Sequence, residues 1–345
     1  MRRFFVFLGV VLTAIGSVVS AQEVDSIAPL QKSSWGDAKK AEVTDYIPEV
    51  VLKMRGGYNQ DFAENAGRFC GDGIYLDVNG KISPSFSYSW NQWIASSYCE
   101  SNGGFGFTNW LTLTYEVGDF AFTAGKDGLL VGSFEYEADD LDSYYDMNSL
   151  FYNGFDCWQW GVSAAWYPSE NHEIKIQAAN SPYSYDEANL FAYAAGWRGY
   201  WDCYESYWTA NLWQEGKGKF VKSLNFGNRF YVGNLTVEMD ILTRFTQNHT
   251  FYTGMVKPSY DWDWGRAFAK FGLENITDDE SPSSMSHYLF YGAGLEFFPL
   301  RKNKDVRVHA VWASNNEQFN TINIGLTWKI NVTGAVKHLF EKLDN

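Results

Sequence analysis

Six carboxylates crowd into one short stretch of the chain: Glu135, Glu137, Asp139, Asp140, Asp142 and Asp146. Nine basic residues stand elsewhere, at polar positions of segments that alternate polar and apolar: Lys53, Arg55, Lys175, Arg229, Arg244, Arg266, Lys270, Arg307 and Lys329. Set across a water-filled gap, these groups perform no covalent chemistry. They create a transverse field that orders water, admits small polar solutes and slows apolar ones, whereas rings of like charge would select ions. The opposing reading is an acidic run that merely solvates a surface loop. Covalent chemistry has little support. None of the five histidines (His172, His249, His287, His309, His338) sits in an evident nucleophile–base arrangement. The Gly-x-Ser-x-Gly and Walker phosphate-loop motifs are both missing. No enzyme activity and no cofactor is expected, and the close Cys/His spacing of a zinc site is absent.

The element that must carry the acidic stretch is a hairpin. Leu111, Leu113, Tyr115 and Val117 interleave with Thr112, Thr114 and Glu116; Gly118-Asp119 turns the chain; Phe120, Phe122 and Ala124 then alternate with Ala121, Thr123 and Gly125. After the acidic loop, Trp158, Trp160, Val162, Ala164 and Trp166 alternate with small and polar residues. A two-residue period is a strand with one apolar and one polar face. A face of tryptophans suits a strand that displays it to lipid.

The same period recurs along the chain. Phe86, Tyr88 and Trp90 oppose Ser85, Ser87 and Ser89, a serine row that suits a watery lumen better than a buried core. Asn79-Gly80 reads as a tight turn, and Gly56-Gly57 as the start of an outer loop. Residues 189–213 are dense in Trp and Tyr and leave their turn open anywhere near Trp201 to Ser206. Turn counting gives about sixteen strands, an even number with both chain ends on the inner side, as in bacterial barrels. The expected fold is therefore all-β: a transmembrane antiparallel up-and-down barrel over residues 49–332, with a long acidic third outer loop. A secreted β-sandwich would give similar alternation. Polar residues on one parity of strand after strand, and Trp/Tyr at strand ends, favour the barrel.

Residues 1–21 read as a secretory signal peptide: Arg2 and Arg3, an apolar run from Phe4, and small residues at Val19-Ser20-Ala21. Residues 22–48 form a polar periplasmic leader, and residues 333–345 a tail with helical spacing. No later apolar run is long enough for a spanning helix. The formal charge is −14, and −16 once Arg2 and Arg3 leave (−14 − 2). Such acidity argues against nucleic acid as a partner. Aromatic residues make up 18% of the chain, which suits the interfacial girdles of a barrel set in outer-membrane lipid. Of Cys70, Cys99, Cys157 and Cys203, the first two both fall near outer loops, which makes Cys70–Cys99 the favoured disulfide in an exported protein.

From Val117 to Asp146 the chain resembles the phosphate-selective porin O and P family. There a Gly-Lys pair, here Gly125-Lys126, ends a hairpin that runs into the third loop. Asp77-Val78-Asn79-Gly80-Lys81-Ile82 and Asn180-Ser181-Pro182 are similar as well. The resemblance implies a sixteen-stranded, trimeric porin with its third loop folded into the lumen, in the outer membrane of a Gram-negative bacterium. Phosphate selectivity is not carried over, because the family's constriction is basic and this loop is acidic. The chain also continues past Trp328 and Ile330, where many such barrels end on an aromatic residue.

The functional expectation is a diffusion channel for small polar solutes or ions, its acidic loop facing a basic wall, with a mild preference for cations. Lumenal aromatics (Tyr144, Tyr145 and Trp201) would instead suit a saccharide-selective channel. A plugged structural or adhesive barrel is the third possibility.

Overall fold

Each strand presents alternate residues to opposite faces, so a closed ring of such strands has an apolar outside and a polar inside. The computed structural model describes residues 46–95, 108–138, 141, 143–184, 189–278, 285–301, 304–317 and 319–336, and in it this ring is complete. Sixteen antiparallel strands run in sequence order and close β1 onto β16. They are β1 (Glu49–Asp61), β2 (Ala66–Ser83), β3 (Phe86–Ala95), β4 (Thr108–Val117), β5 (Phe120–Gly128) and β6 (Trp158–Ser169). Next come β7 (His172–Asn180), β8 (Phe191–Trp201), β9 (Tyr204–Gly216), β10 (Lys219–Val232) and β11 (Leu235–Phe245). The ring ends with β12 (His249–Trp262), β13 (Gly265–Asp278), β14 (Met285–Phe297), β15 (Val306–Asn315) and β16 (Asn320–Asn331). A helical turn over residues 332–336 follows.

Register fixes the two faces. Leu113 pairs with Ala124 and Tyr115 with Phe122 on the outside, while Thr114 pairs with Thr123 on the inside. Leu113, Tyr115, Phe120, Phe122, Trp160, Val162 and Trp166 are all exposed, an apolar band of the kind that a membrane or another protein surface covers. Most of the short turns lie at the end of the barrel that holds both termini, and most of the longer connections at the other end, called here the loop end.

Two turn readings need correction. Asn79-Gly80 lies inside β2, which runs on to Ser83 before turning at Pro84-Ser85. Gly80 serves packing there: a Cβ would meet the Tyr88 ring, and Asn79 accepts from Ser89 Oγ. Gly56 and Gly57 likewise belong to β1, paired with Gly71 and Cys70, and β1 continues to Asp61. The open turn near 201–206 falls at residues 202–203, between β8 and β9.

Candidate functional site

Residues 129–157, between β5 and β6, are the third loop. A loop bathed in solvent would be polar, yet this one contains Leu129, Leu130, Val131, Phe134, Leu141, Met147 and Phe151, each no more than 7% exposed. The barrel interior buries them. Leu129, Val131 and Phe151 pack with Ala179, Ala192, Trp213, Val221, Leu242, Met255 and Phe290, all on lumenal strand positions. Leu130 and Phe134 pack with Ala194 and Tyr207; Met147 packs with Phe268, Val311 and Ala313. Full burial of one large apolar side chain contributes ~1.5–3 kcal/mol, so these contacts hold the loop firmly inside. Gly132 lets it turn: its φ is +73°, and a Cβ would stand 2.6 Å from Thr209 Oγ1. One helical turn, α1 (Leu150–Asn153), follows, capped by the Ser149 side chain accepting from Tyr152 N–H.

Polar groups on the wall satisfy the loop's backbone, as burial requires. Thr209 Oγ1 and Asn225 Nδ2 both donate to the Val131 carbonyl, at 2.7 and 2.6 Å. Asp240 accepts from Ser133 Oγ at 2.6 Å and from Glu135 N–H at 3.1 Å. Glu274 accepts from Phe151 N–H, and Arg55 donates to the carbonyls of Leu141 and Ser143 at 3.0 and 2.8 Å. Tyr144 donates its hydroxyl to Glu296 at 2.8 Å. Burial and that neighbouring carboxylate push Tyr144 ionisation far up, so the hydroxyl stays a donor at neutral pH.

The acidic loop residues have distinct environments. Glu135 pairs with Lys270 at 2.5 Å and also accepts from Ser149 N–H and Oγ. Glu137 pairs with Arg198 at 2.8 Å. Asp146 accepts from Thr321 Oγ1 at 3.1 Å. Asp139, Asp140 and Asp142 lie outside the described residues, as does Cys99 of the expected Cys70–Cys99 disulfide. Cys157 and Cys203 stand at opposite ends of the barrel, too far apart to pair.

The bases expected on the wall have several kinds of partner. Of the nine bases, Lys270 pairs with the loop carboxylate Glu135. Lys53 pairs with Asp77, Lys175 with Asp127 at 4.0 Å, and Arg266 with Asp261 at 2.5 Å. Arg307 lies 3.5 Å from Glu296. Arg229 reaches both Glu205 and Glu238, at 3.2 and 2.9 Å, and Lys257 joins Glu238 at 3.3 Å. Arg244 lies over the rings of Phe251 and Phe151, at 4.2 and 5.5 Å. Lys329 sits in register beside Lys53. Cross-strand neighbours stand only about 5 Å apart, which favours pairing of a wall base with an acid on the next strand. Glu205, Arg229, Glu238 and Lys257 are direct register partners in turn, a ladder of alternating sign over β9–β12.

Sequence reasoning missed Arg198 because it fell in the ambiguous 189–213 stretch. The wall acids Glu238, Glu274 and Glu296 were on the polar parity and thus legible as lumenal, though not as partners. The saccharide reading loses Trp201, which is exposed on the outer face and stacks on Tyr204. Tyr144 does lie inside.

Below the loop, toward the terminus end, a cavity of about 330 Å³ is bounded by Tyr144 and by wall residues of β10–β14. It shares Tyr144, Glu238, Lys257 and Phe268 with a crevice of about 30 Å³ directly under Glu135 and Lys270.

No family model matches the chain, and no curated protein matches it. Solved structures do. A loop-L8 deletion mutant of OmpT, an outer membrane protein of Vibrio cholerae, superposes with a TM-score of 0.60 at 12% identity, over 82% of this chain and 99% of that one. The trimer form of in-vitro folded OmpT gives 0.56 at 12%, with the same coverage. A triple mutant of the Rhodopseudomonas blastica porin gives 0.55 at 8%, over 82% of this chain and all of that one. At such identities the likeness concerns the fold: this chain has the closed sixteen-stranded barrel seen in outer-membrane porins.

Proposed function

We propose that the protein is a passive diffusion channel for small polar solutes, located in the outer membrane of a Gram-negative bacterium and assembled as a homotrimer. The observation that carries this reading is the third loop, folded into a polar-walled lumen and tied to strands on several sides. That arrangement narrows a channel without filling it with a separate domain. The cavity under the loop supports it, and so does the exposed apolar band outside. No covalent chemistry is assigned to the protein. The acidic loop gives a mild preference for cations. Glu135 and Glu137 are compensated by Lys270 and Arg198.

The test is direct. The processed chain is refolded in detergent, checked for a gel shift on boiling, and inserted into planar bilayers in a salt gradient. Stepwise conductance is expected, with a reversal potential on the cation side that collapses when the loop acids Glu135, Glu137, Asp139, Asp140, Asp142 and Asp146 become glutamine and asparagine. Folded, heat-modifiable protein without conductance would make it a plugged barrel instead.

A further inference from the structure

We infer that the 330 Å³ cavity beneath the third loop is a binding site for a neutral polyhydroxylated ring, a hexose or short saccharide, on the solute path of the channel proposed above. Three observations point there. The first is size: the volume lies at the lower end of the range for small-molecule sites, ~300–1,000 Å³, and suits one or two sugar rings.

The second is charge. Arg229, Lys257 and Arg266 line the cavity against Glu238, Asp261 and Glu296, and each base is already paired with one of these acids or with Glu205. The lining therefore has no net charge with which to hold a simple ion. It instead sets donors beside acceptors at hydrogen-bond spacing, which matches vicinal hydroxyls that both donate and accept. Thr236 and Ser259, register partners on β11 and β12, add two further hydroxyls.

The third is an apolar surface. Tyr144 from the loop stacks on Phe268 from β13, with ring centroids 5.5 Å apart and planes 19° apart, and both rings border the cavity with Tyr231. A pyranose has one face of C–H groups and a rim of hydroxyls. Aromatic rings beside alternating charge pairs answer that division, whereas a zwitterion would need two separated unpaired charges.

The measurement is saturation-transfer NMR on the full processed protein in detergent micelles, with D-glucose, maltose and glycine betaine as probes. Saturable transfer to sugar ring protons is expected, strongest on the C–H face. Phe268→Ala should weaken sugar affinity by about tenfold, the effect of losing one aromatic partner. The nearly isosteric Thr236→Val/Ser259→Ala variant leaves packing intact and should also weaken it. Retained heat-modifiability establishes that each variant is folded. No transfer to sugar from folded wild-type protein overturns the inference, as does tighter binding of glycine betaine, or unchanged affinity in both variants. Channel conductance without sugar binding sinks this site and leaves the channel standing. Sugar binding without conductance does the reverse.

Discussion

The buried Glu135–Lys270 pair ties the third loop to β13. Both side chains are nearly inaccessible, at 2% and 5%. Lys270 Nζ also donates to Asn148 Oδ1 at 3.0 Å, and Glu135 receives Ser149 N–H at 2.8 Å, so one ion pair ties two loop segments to β13. Removing one partner leaves the other charge buried without compensation, which costs ~3–5 kcal/mol, whereas replacing both with apolar groups is often close to neutral. Lys270→Met should thus lower the free energy of local loop opening by about 3 kcal/mol or more, whereas Glu135→Leu/Lys270→Met should recover most of that loss. Amide hydrogen exchange at Ser149 and Phe151 reads the opening directly, and about 3 kcal/mol corresponds to faster exchange by two orders of magnitude or more. Bilayer recordings of the single variant should show higher or noisier conductance. If the single variant exchanged as slowly as wild type, or the double variant opened more readily than the single, the pair would not be what holds the loop.

Trp213→Ala empties the largest buried side chain of the apolar cluster under the loop; loss of docking by ~3–5 kcal/mol is expected, read as faster exchange across residues 129–157 with the wall strands unaffected. Gly132→Ala meets both a positive φ and Thr209, so it should strain the loop's first turn by ~1–3 kcal/mol, measured in the same experiment. Brominated lipids should quench Trp160, Trp166, Trp208, Trp312 and Trp328, which are exposed outside, and spare Trp213, which is fully enclosed. Single-tryptophan variants make that assignment; strong quenching of Trp213 would reverse the faces assigned to β9.

Much of this architecture was legible because a strand's period is two and the two faces meet different solvents. Parity alone put Lys53, Arg55, Lys270 and Arg307 inside and Leu113, Phe122 and Trp166 outside. It failed where a local signal was mistaken for a turn: Asn79-Gly80 favours one, but Pro84 ends the strand, and Gly80 is small because Tyr88 lies over it. It was silent on partners as well, since a face does not tell which residue stands opposite. The register that sets Arg229 between Glu205 and Glu238 depends on turn positions that one sequence leaves loose. One informative signal went unused. Trp213, Val221, Leu242, Met255 and Phe290 are apolar on the lumenal parity, which a water-filled barrel does not explain. They mark where the loop lies.

Those residues also separate two modes of attachment that act on the loop together. Near the loop end it is held by a dry cluster around Phe151 and Trp213. Deeper, it is held by charged and hydrogen-bonded groups: Lys270, Asp240, Arg55 and Glu296. The apolar part binds without direction and tolerates small shifts, whereas the polar part fixes orientation, because each buried donor demands its own acceptor. A loop held only by the first would slide, and one held only by the second would detach as salt or pH altered its pairs. Adjacent pairing of the wall charges follows from the same physics. A lone charge in a narrow lumen bears a large desolvation penalty, and a partner on the next strand offsets it without crossing the path of the solute. The lumen can therefore be rich in charge and still weak in net field below the loop, the condition under which an uncharged solute competes with ions for the same space.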